Sequence, residues 1–197
     1  MIVTNRRALV ALVAALALTA CAKPPAEAIA AADAAQQAAV AAEAEQYAPE
    51  AMNAVAEAKA ALNAEIAAQG EKMALTRSYK RAEELVAAYK ASAEQATTAA
   101  AAGKEQAKNE ATTLITEGRV ALDEATALLA KAPRGKGSAP DLAAMKADLE
   151  AAGISLTEAE ASLAAGTFLD AKSKATSAME AITRVKDAVT TAQSMRR

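Results

Sequence analysis

From residue 27 to residue 194 apolar side chains recur at intervals of three and four, the repeat of one helix face. The longest line runs Leu75, Tyr79, Ala82, Val86, Tyr89, Ala93, Ala96, Ala100 in strict four-three alternation, an a/d heptad seam. It resumes at Ala107, Ala111, Leu114, Ala121, Ala125 and Leu128. The pattern predicts one long helix from about Lys72 to Lys131, which at 1.5 Å per residue would span roughly 90 Å. Gly103 weakens that helix by about 1 kcal/mol relative to Ala and is the natural place for a bend, without ending it.

Shorter lines flank the long one. An Ala-rich stretch from Glu27 to Gln46 predicts a first helix, with Glu27 and Asp33 near its positive end. Tyr47-Ala48-Pro49-Glu50 interrupts it, because Pro ends one helix and suits the first turn of the next. A second helix follows with Met52, Val55, Ala58, Leu62 and Ile66 on one face, and stops near Gln69-Gly70. Past the long helix, Pro133 to Ser138 reads as a loop. Pro140-Asp141 then opens a helix with Leu142, Met145, Leu149, Ala152, Leu156, Ala159 and Leu163 on its seam. Gly166-Thr167 turns the chain into a last helix, with Phe168, Ala171, Ala175, Ala178, Ile182, Val185, Val189 and Ala192 in register. The short turn predicts an antiparallel hairpin.

The expected fold class is therefore all-α, an elongated antiparallel bundle of coiled-coil hairpins. A faint repeat refines it. Tyr47-Ala48-Pro49-Glu50 is echoed by Ser138-Ala139-Pro140-Asp141, and Tyr79 with Ala82 by Phe168 with Ala171. The echo fits two three-helix units sharing the long helix, the first over residues 27–102 and the second over 103–197.

Composition changes this picture in one respect. Roughly a third of the residues are Ala, there is no Trp, and Phe and Tyr together number four. Alanine favours helix strongly but buries little area, so helices must pack close and each core layer stabilises weakly. The net charge of −2 becomes about −4 if a leader carrying Arg6 and Arg7 is removed. That mild negative balance speaks against a nucleic-acid partner. Acids crowd residues 27–65, where Lys59 is the lone base, while Lys172, Lys174, Arg184, Lys186, Arg196 and Arg197 make the last segment basic. A basic end suits an acidic partner or an anionic wall polymer, and equally an ordinary solvated helix surface.

Candidate chemistry is sparse. Without His the chain lacks the commonest general base and metal ligand. One Cys allows no intrachain disulfide, no Cys-x-x-Cys-His haem attachment and no thiolate cluster. The acidic pairs Glu83 and Glu84, Asp123 and Glu124, and Glu158 and Glu160 read as solvated helix surface, since neighbours on a helix point apart. Lys104, Lys108 and Lys131 read the same way. Tyr79 and Tyr89 sit on a seam and read as core, and with Tyr47 they are the alternative ligand-stacking set. No metal or cofactor and no catalytic activity are expected.

The N-terminus carries the strongest motif. Arg6 and Arg7 precede an apolar run from Ala8 to Leu18, the make-up of a cleaved export signal over residues 1–20. The alternative is an uncleaved anchor or core helix, which Lys23-Pro24-Pro25 would end at once. Leu18-Thr19-Ala20-Cys21 resembles the lipobox of bacterial lipoproteins. The resemblance implies that the Cys21 thiol takes a diacylglyceryl group, that the chain is cut between Ala20 and Cys21, and that the new N-terminus is acylated. Residues 21–26 would then be a lipidated tether to the membrane. Ala22 stands where an Asp would favour inner-membrane retention in the Gram-negative pathway, so for a Gram-negative source the resemblance implies the periplasmic face of the outer membrane.

With the leader, the Ala-rich helix and Tyr47-Ala48-Pro49-Glu50, residues 1–100 resemble a family of small envelope lipoproteins bearing a helical domain of unknown function. The chain is also similar to the small murein lipoprotein in its leader and alanine seams. That protein's wall link needs a C-terminal Lys, whereas this chain ends Met195-Arg196-Arg197. The expectation is a non-enzymatic lipoprotein that presents a bundle to an envelope protein or the cell wall, alone or as a homo-oligomer. The alternative is a binding module for a lipid or small apolar ligand.

Overall fold

The computed structural model describes residues 23–132 and 139–194, and every regular element among them is helical. The signal segment, the Ala20–Cys21 junction, the Pro133–Ser138 loop, Arg196 and Arg197 lie outside the described residues. The helices are α1 (Ala26–Ala41), α2 (Ala44–Tyr47), α3 (Pro49–Gly70), α4 (Lys80–Ala130), α5 (Ala139–Ala164) and α6 (Phe168–Ser194). The chain is thus an all-α helical bundle protein. It divides into two compact units at Gly103–Lys104, and α4 contributes its first half to one and its second half to the other.

In the first unit, α1 and the first half of α4 run parallel. Asp33 on α1 meets Tyr89 on α4 across 56 residues, and the Tyr47 carbonyl meets Gly103 across the same separation. Short connections on either side make α3 antiparallel to both. The core is mostly alanine: Ala32, Ala39 and Ala44 from α1 and α2, and Ala82, Ala93, Ala96 and Ala100 from α4. Val55, Leu62, Val86 and Tyr89 supply its bulk, and Tyr89 is the largest fully buried side chain among the described residues.

The second unit packs the rest of α4 against α5 and α6 around larger residues: Ile115, Leu149, Leu156, Ile182, Val185 and Val189. Glu110 pairs with Lys172 and Glu124 with Lys186, each across 62 residues, so α4 and α6 run parallel with α5 reversed between them. The last helix of each unit buries matching stations. Ala82, Val86, Tyr89, Ala93, Ala96 and Ala100 in α4 correspond in spacing to Ala171, Ala175, Ala178, Ile182, Val185 and Val189 in α6, all buried.

Four expectations need correction. The first helix does not run unbroken to Gln46, because it ends at Ala41 and Glu43 takes a left-handed conformation (φ 61°) before α2. The long helix begins at Lys80, eight residues later than expected, although Gly103 does not end it, as its spacing predicts. Leu75 is not on its seam: it lies in a short 3₁₀ turn (Ala74–Thr76) and is 89% exposed. The extended backbone of Met73 and Arg77 brackets that turn and takes the chain off the helical path. Ala192 closes the α6 line by spacing yet is exposed in the last turn. The second half of α4 also uses a wider stripe than a single seam. Ile115 and Gly118 are buried and Leu122 and Leu129 half-buried, because this helix faces two neighbours at once.

Candidate functional site

The acidic pairs do not converge. Glu83, Glu84, Asp123, Glu124, Glu158 and Glu160 are all exposed, and three of them are taken by bases: Glu84 by Arg81, Glu124 by Lys186 and Glu160 by Arg119. Lys104 is half-buried, whereas Lys108 and Lys131 are exposed and Lys108 lies 3.5 Å from Glu105. Tyr79 and Tyr89 are buried and Tyr47 is half-buried against the same core, so the three do not form an open stacking surface. On the basic last segment, Lys172, Lys174 and Lys186 are each spent on a carboxylate. Ala20 and Cys21 precede the described residues.

The richest polar constellation is one that spacing along the chain did not single out. Asp33 and Gln36, one turn apart on α1, face Lys59 of α3 and Tyr89 of α4. Lys59 Nζ donates to Asp33 Oδ1 and to Gln36 Oε1, both at 2.9 Å, and sits 5.5 Å from the centre of the Tyr89 ring. That placement adds a cation–π attraction to the ion pair. The Tyr89 hydroxyl lies 2.8 Å from Asp33 Oδ1 and also against Gln36 Oε1, and its single proton serves one acceptor at a time. Lys59 is the lone base of its acidic segment, which is the one sequence signal that pointed here.

Its electrostatics are those of a clasp. Hydrogen bonds from Lys59 and then Tyr89 hold the Asp33 carboxyl below its ordinary value. The bond to Asp33 raises Lys59, while burial, reinforced by the bond to Asp33, raises the Tyr89 phenol. Each group is therefore held in the charge state it already has at neutral pH. General acid–base work needs a group poised near neutrality, and this cluster moves all three away from it.

A second constellation closes the α5–α6 turn. Ser162 Oγ donates to Asp170 Oδ2 at 2.6 Å, and Lys174 Nζ donates to Asp170 Oδ2 at 2.8 Å and to Ser162 Oγ at 3.0 Å. A serine beside a lysine can act as a nucleophile when the amine is neutral and takes its proton. Here the Asp170 carboxylate raises Lys174 and keeps it charged. Asp170 is in turn lowered by Lys174 and then by Ser162. The trio fastens the turn, where Gly166 at φ +81° carries a Schellman cap: its N–H bonds Leu163 O and the Thr167 N–H bonds Ser162 O.

Between α4 and α5, Arg119 forks onto both oxygens of Glu160 at 2.9 Å and reaches Thr157 Oγ1 at 3.0 Å. Between α4 and α6, the Glu110–Lys172 and Glu124–Lys186 pairs are two heptads apart, and the rung between them holds Glu117 and Met179. Open depressions border Met179, next to Leu114 on one side and Val120 and Ala121 on the other.

Among the described residues no three His, Cys, Asp or Glu are placed to hold a metal ion, and no helix is long and apolar enough to cross a membrane. Among the described residues no buried polar side-chain atom is left without a partner. Compared with known proteins, the chain matches no protein-family model, and neither a curated protein nor a solved structure resembles it significantly.

Proposed function

We propose that this chain is a non-enzymatic envelope lipoprotein, held to a membrane by acyl chains on Cys21 and presenting its helical units to an envelope partner. The observation that carries the reading is Leu18-Thr19-Ala20-Cys21 at the end of a basic and then apolar leader, with the only thiol of the chain at the acylation position. Two acyl chains anchor a protein far more firmly than one, because membrane binding grows with each buried methylene. For a Gram-negative source, Ala22 after the modified residue favours the periplasmic face of the outer membrane. The character of the folded part agrees with a structural role. Ion pairs and hydrogen bonds join α1 to α3, α1 to α4, α4 to α5 and α4 to α6, and hold those helices together.

Metabolic labelling with a palmitate analogue tests the anchor directly. The wild-type chain should take the label and Cys21→Ala should not. Equal labelling of both, or of neither, overturns the reading. Crosslinking in cells followed by mass spectrometry would then identify the partner, either an envelope protein or the cell wall.

A further inference from the structure

The α3–α4 turn exposes two large apolar side chains that no part of the core needs. Met73 is 78% and Leu75 is 89% exposed, the most exposed large hydrophobic residues described. Lys72 and Lys80, both exposed, flank them along the chain, while Arg77 braces the turn and Arg81 is paired with Glu84, leaving Glu71 and Glu83 as the neighbouring acids. The turn is also built to hold its shape. The Arg77 guanidinium donates to Gly70 O at 2.8 Å and to Lys72 O at 2.9 Å, which caps the negative end of α3. Gln69 Oε1 accepts from the Ser78 N–H at 3.1 Å, and Thr76 bonds back to Met73 O through both its N–H and its hydroxyl. Two apolar tips flanked by two exposed lysines, on a braced turn, match the layered chemistry of a bilayer surface, with hydrocarbon beneath anionic phosphate.

The position of the turn agrees. The 56-residue register that joins Asp33 to Tyr89 and Tyr47 to Gly103 sets Lys80 level with Pro24. The turn therefore lies at the end of the unit where the described chain begins, just after Cys21. We propose that Met73 and Leu75 insert into an anionic bilayer while Lys72 and Lys80 bind lipid phosphates, making this turn a second membrane contact beside the acyl anchor. The inference shares the membrane with the function proposed above but rests on different residues. A basic patch is the kind of second signal that turns weak lipid anchoring into firm anchoring.

The chain has no Trp, so Met73→Trp creates a single fluorescent reporter, and Val40→Trp, on an exposed site at the other end of α1, is its control. Each full-length variant, purified from cells, is mixed with vesicles of phosphatidylcholine and phosphatidylglycerol carrying brominated acyl chains, and with phosphatidylcholine vesicles alone. Mass spectrometry of the Cys21 peptide in the same sample reads acylation. On anionic vesicles the Met73→Trp emission should shift to the blue and be quenched at least about fivefold more than that of Val40→Trp, with most of the effect lost on neutral vesicles. Adding Lys72→Gln and Lys80→Gln should remove most of the quenching. Equal quenching at the two sites, or none at Met73→Trp, overturns the turn as a membrane contact whether or not Cys21 is acylated. A Cys21 peptide without lipid overturns the anchor alone, and quenching at Met73→Trp would still stand.

Discussion

The carbonyl oxygen of Tyr47 lies 2.2 Å from the point where a β-carbon on Gly103 would sit. Gly103 thus reads as a weak point by helix propensity and acts as a docking notch by contact. The neighbouring atom is backbone, held by the Ala48-Pro49 start of α3, and it has little freedom to move aside. Gly103→Ala should therefore destabilise the first unit by about 1–3 kcal/mol, against the roughly 1 kcal/mol gain that propensity alone predicts. Gly70→Ala is the matched comparison, since nothing lies within 4 Å of its β-carbon position and its backbone is helical. It should be neutral or stabilising by about 0.5 kcal/mol. Thermal denaturation of both variants checks the opposite signs, and stabilisation by Gly103→Ala would contradict the notch.

In the second unit the close approach is reciprocal. A β-carbon at Gly118 of α4 would meet Leu156 Cδ2 of α5 at 2.7 Å, and one at Gly153 of α5 would meet Leu122 Cδ2 of α4 at 3.3 Å. Each glycine receives a leucine of the facing helix. Here the obstacle is the far end of a flexible side chain, so Gly118→Ala should cost less than Gly103→Ala, about 1 kcal/mol. Leu156→Ala alone should cost about 2–5 kcal/mol, because Leu156 is fully buried. Combined, the two changes should cost less than their sum, since the added methyl fills part of the cavity. Denaturant titration of the four proteins in that cycle measures the coupling, and strict additivity would mean that the two residues do not share space.

How far the sequence revealed this fold depends on which signal each element left. The lines from Tyr79 to Ala100 and from Ala171 to Val189 are buried as their spacing predicts, because each helix buries one continuous stripe. Leu75 fits the same spacing and is exposed, since four-three spacing does not register where a helix begins, and the start of α4 is set by Arg77 and Gln69 reaching across the turn. The break at Glu43 left no sign either. Neither Gly nor Pro marks it, and a run of Ala cannot show which residue turns left-handed. The Asp33–Lys59–Tyr89 cluster was out of reach for another reason: its members come from three helices, 26 and 56 residues apart. Pattern reading finds faces, whereas such a cluster depends on how faces are rotated against each other.

The α5–α6 turn depends on one backbone conformation. Gly166 at φ +81° carries the Schellman cap, and nothing lies within 4 Å of its β-carbon position. Gly166→Ala should cost about 1–2 kcal/mol through backbone strain alone. Gly166→Asn should recover much of the loss, because Asn tolerates the left-handed region better. Hydrogen exchange at the Thr167 amide, which bonds Ser162 O at 3.0 Å, should report the same order. Equal effects of Ala and Asn would point to lost space in place of strain.

The clasp in the first unit makes stability depend on pH at both extremes. Asp33 is lowered in the folded chain, chiefly by Lys59, so its contribution is present above the unfolded carboxyl value near 4 and is lost as pH falls through the folded value. Lys59 is raised by Asp33, and Tyr89 by burial. Their contributions are complete below the unfolded values near 10 and are lost as pH rises through the folded values. Stability should therefore hold level across neutral pH and decline below about 4 and above about 10. The three tyrosines allow a direct check. Followed by phenolate absorbance, Tyr89 should ionise above the ordinary phenol value, together with the alkaline loss of helix. Tyr89→Phe should remove that late step and cost about 0.5–1.5 kcal/mol at neutral pH, since Lys59 still serves Asp33 and Gln36. If Tyr89→Phe leaves the late step of the alkaline phenolate titration in place, the clasp does not hold Tyr89 in solution.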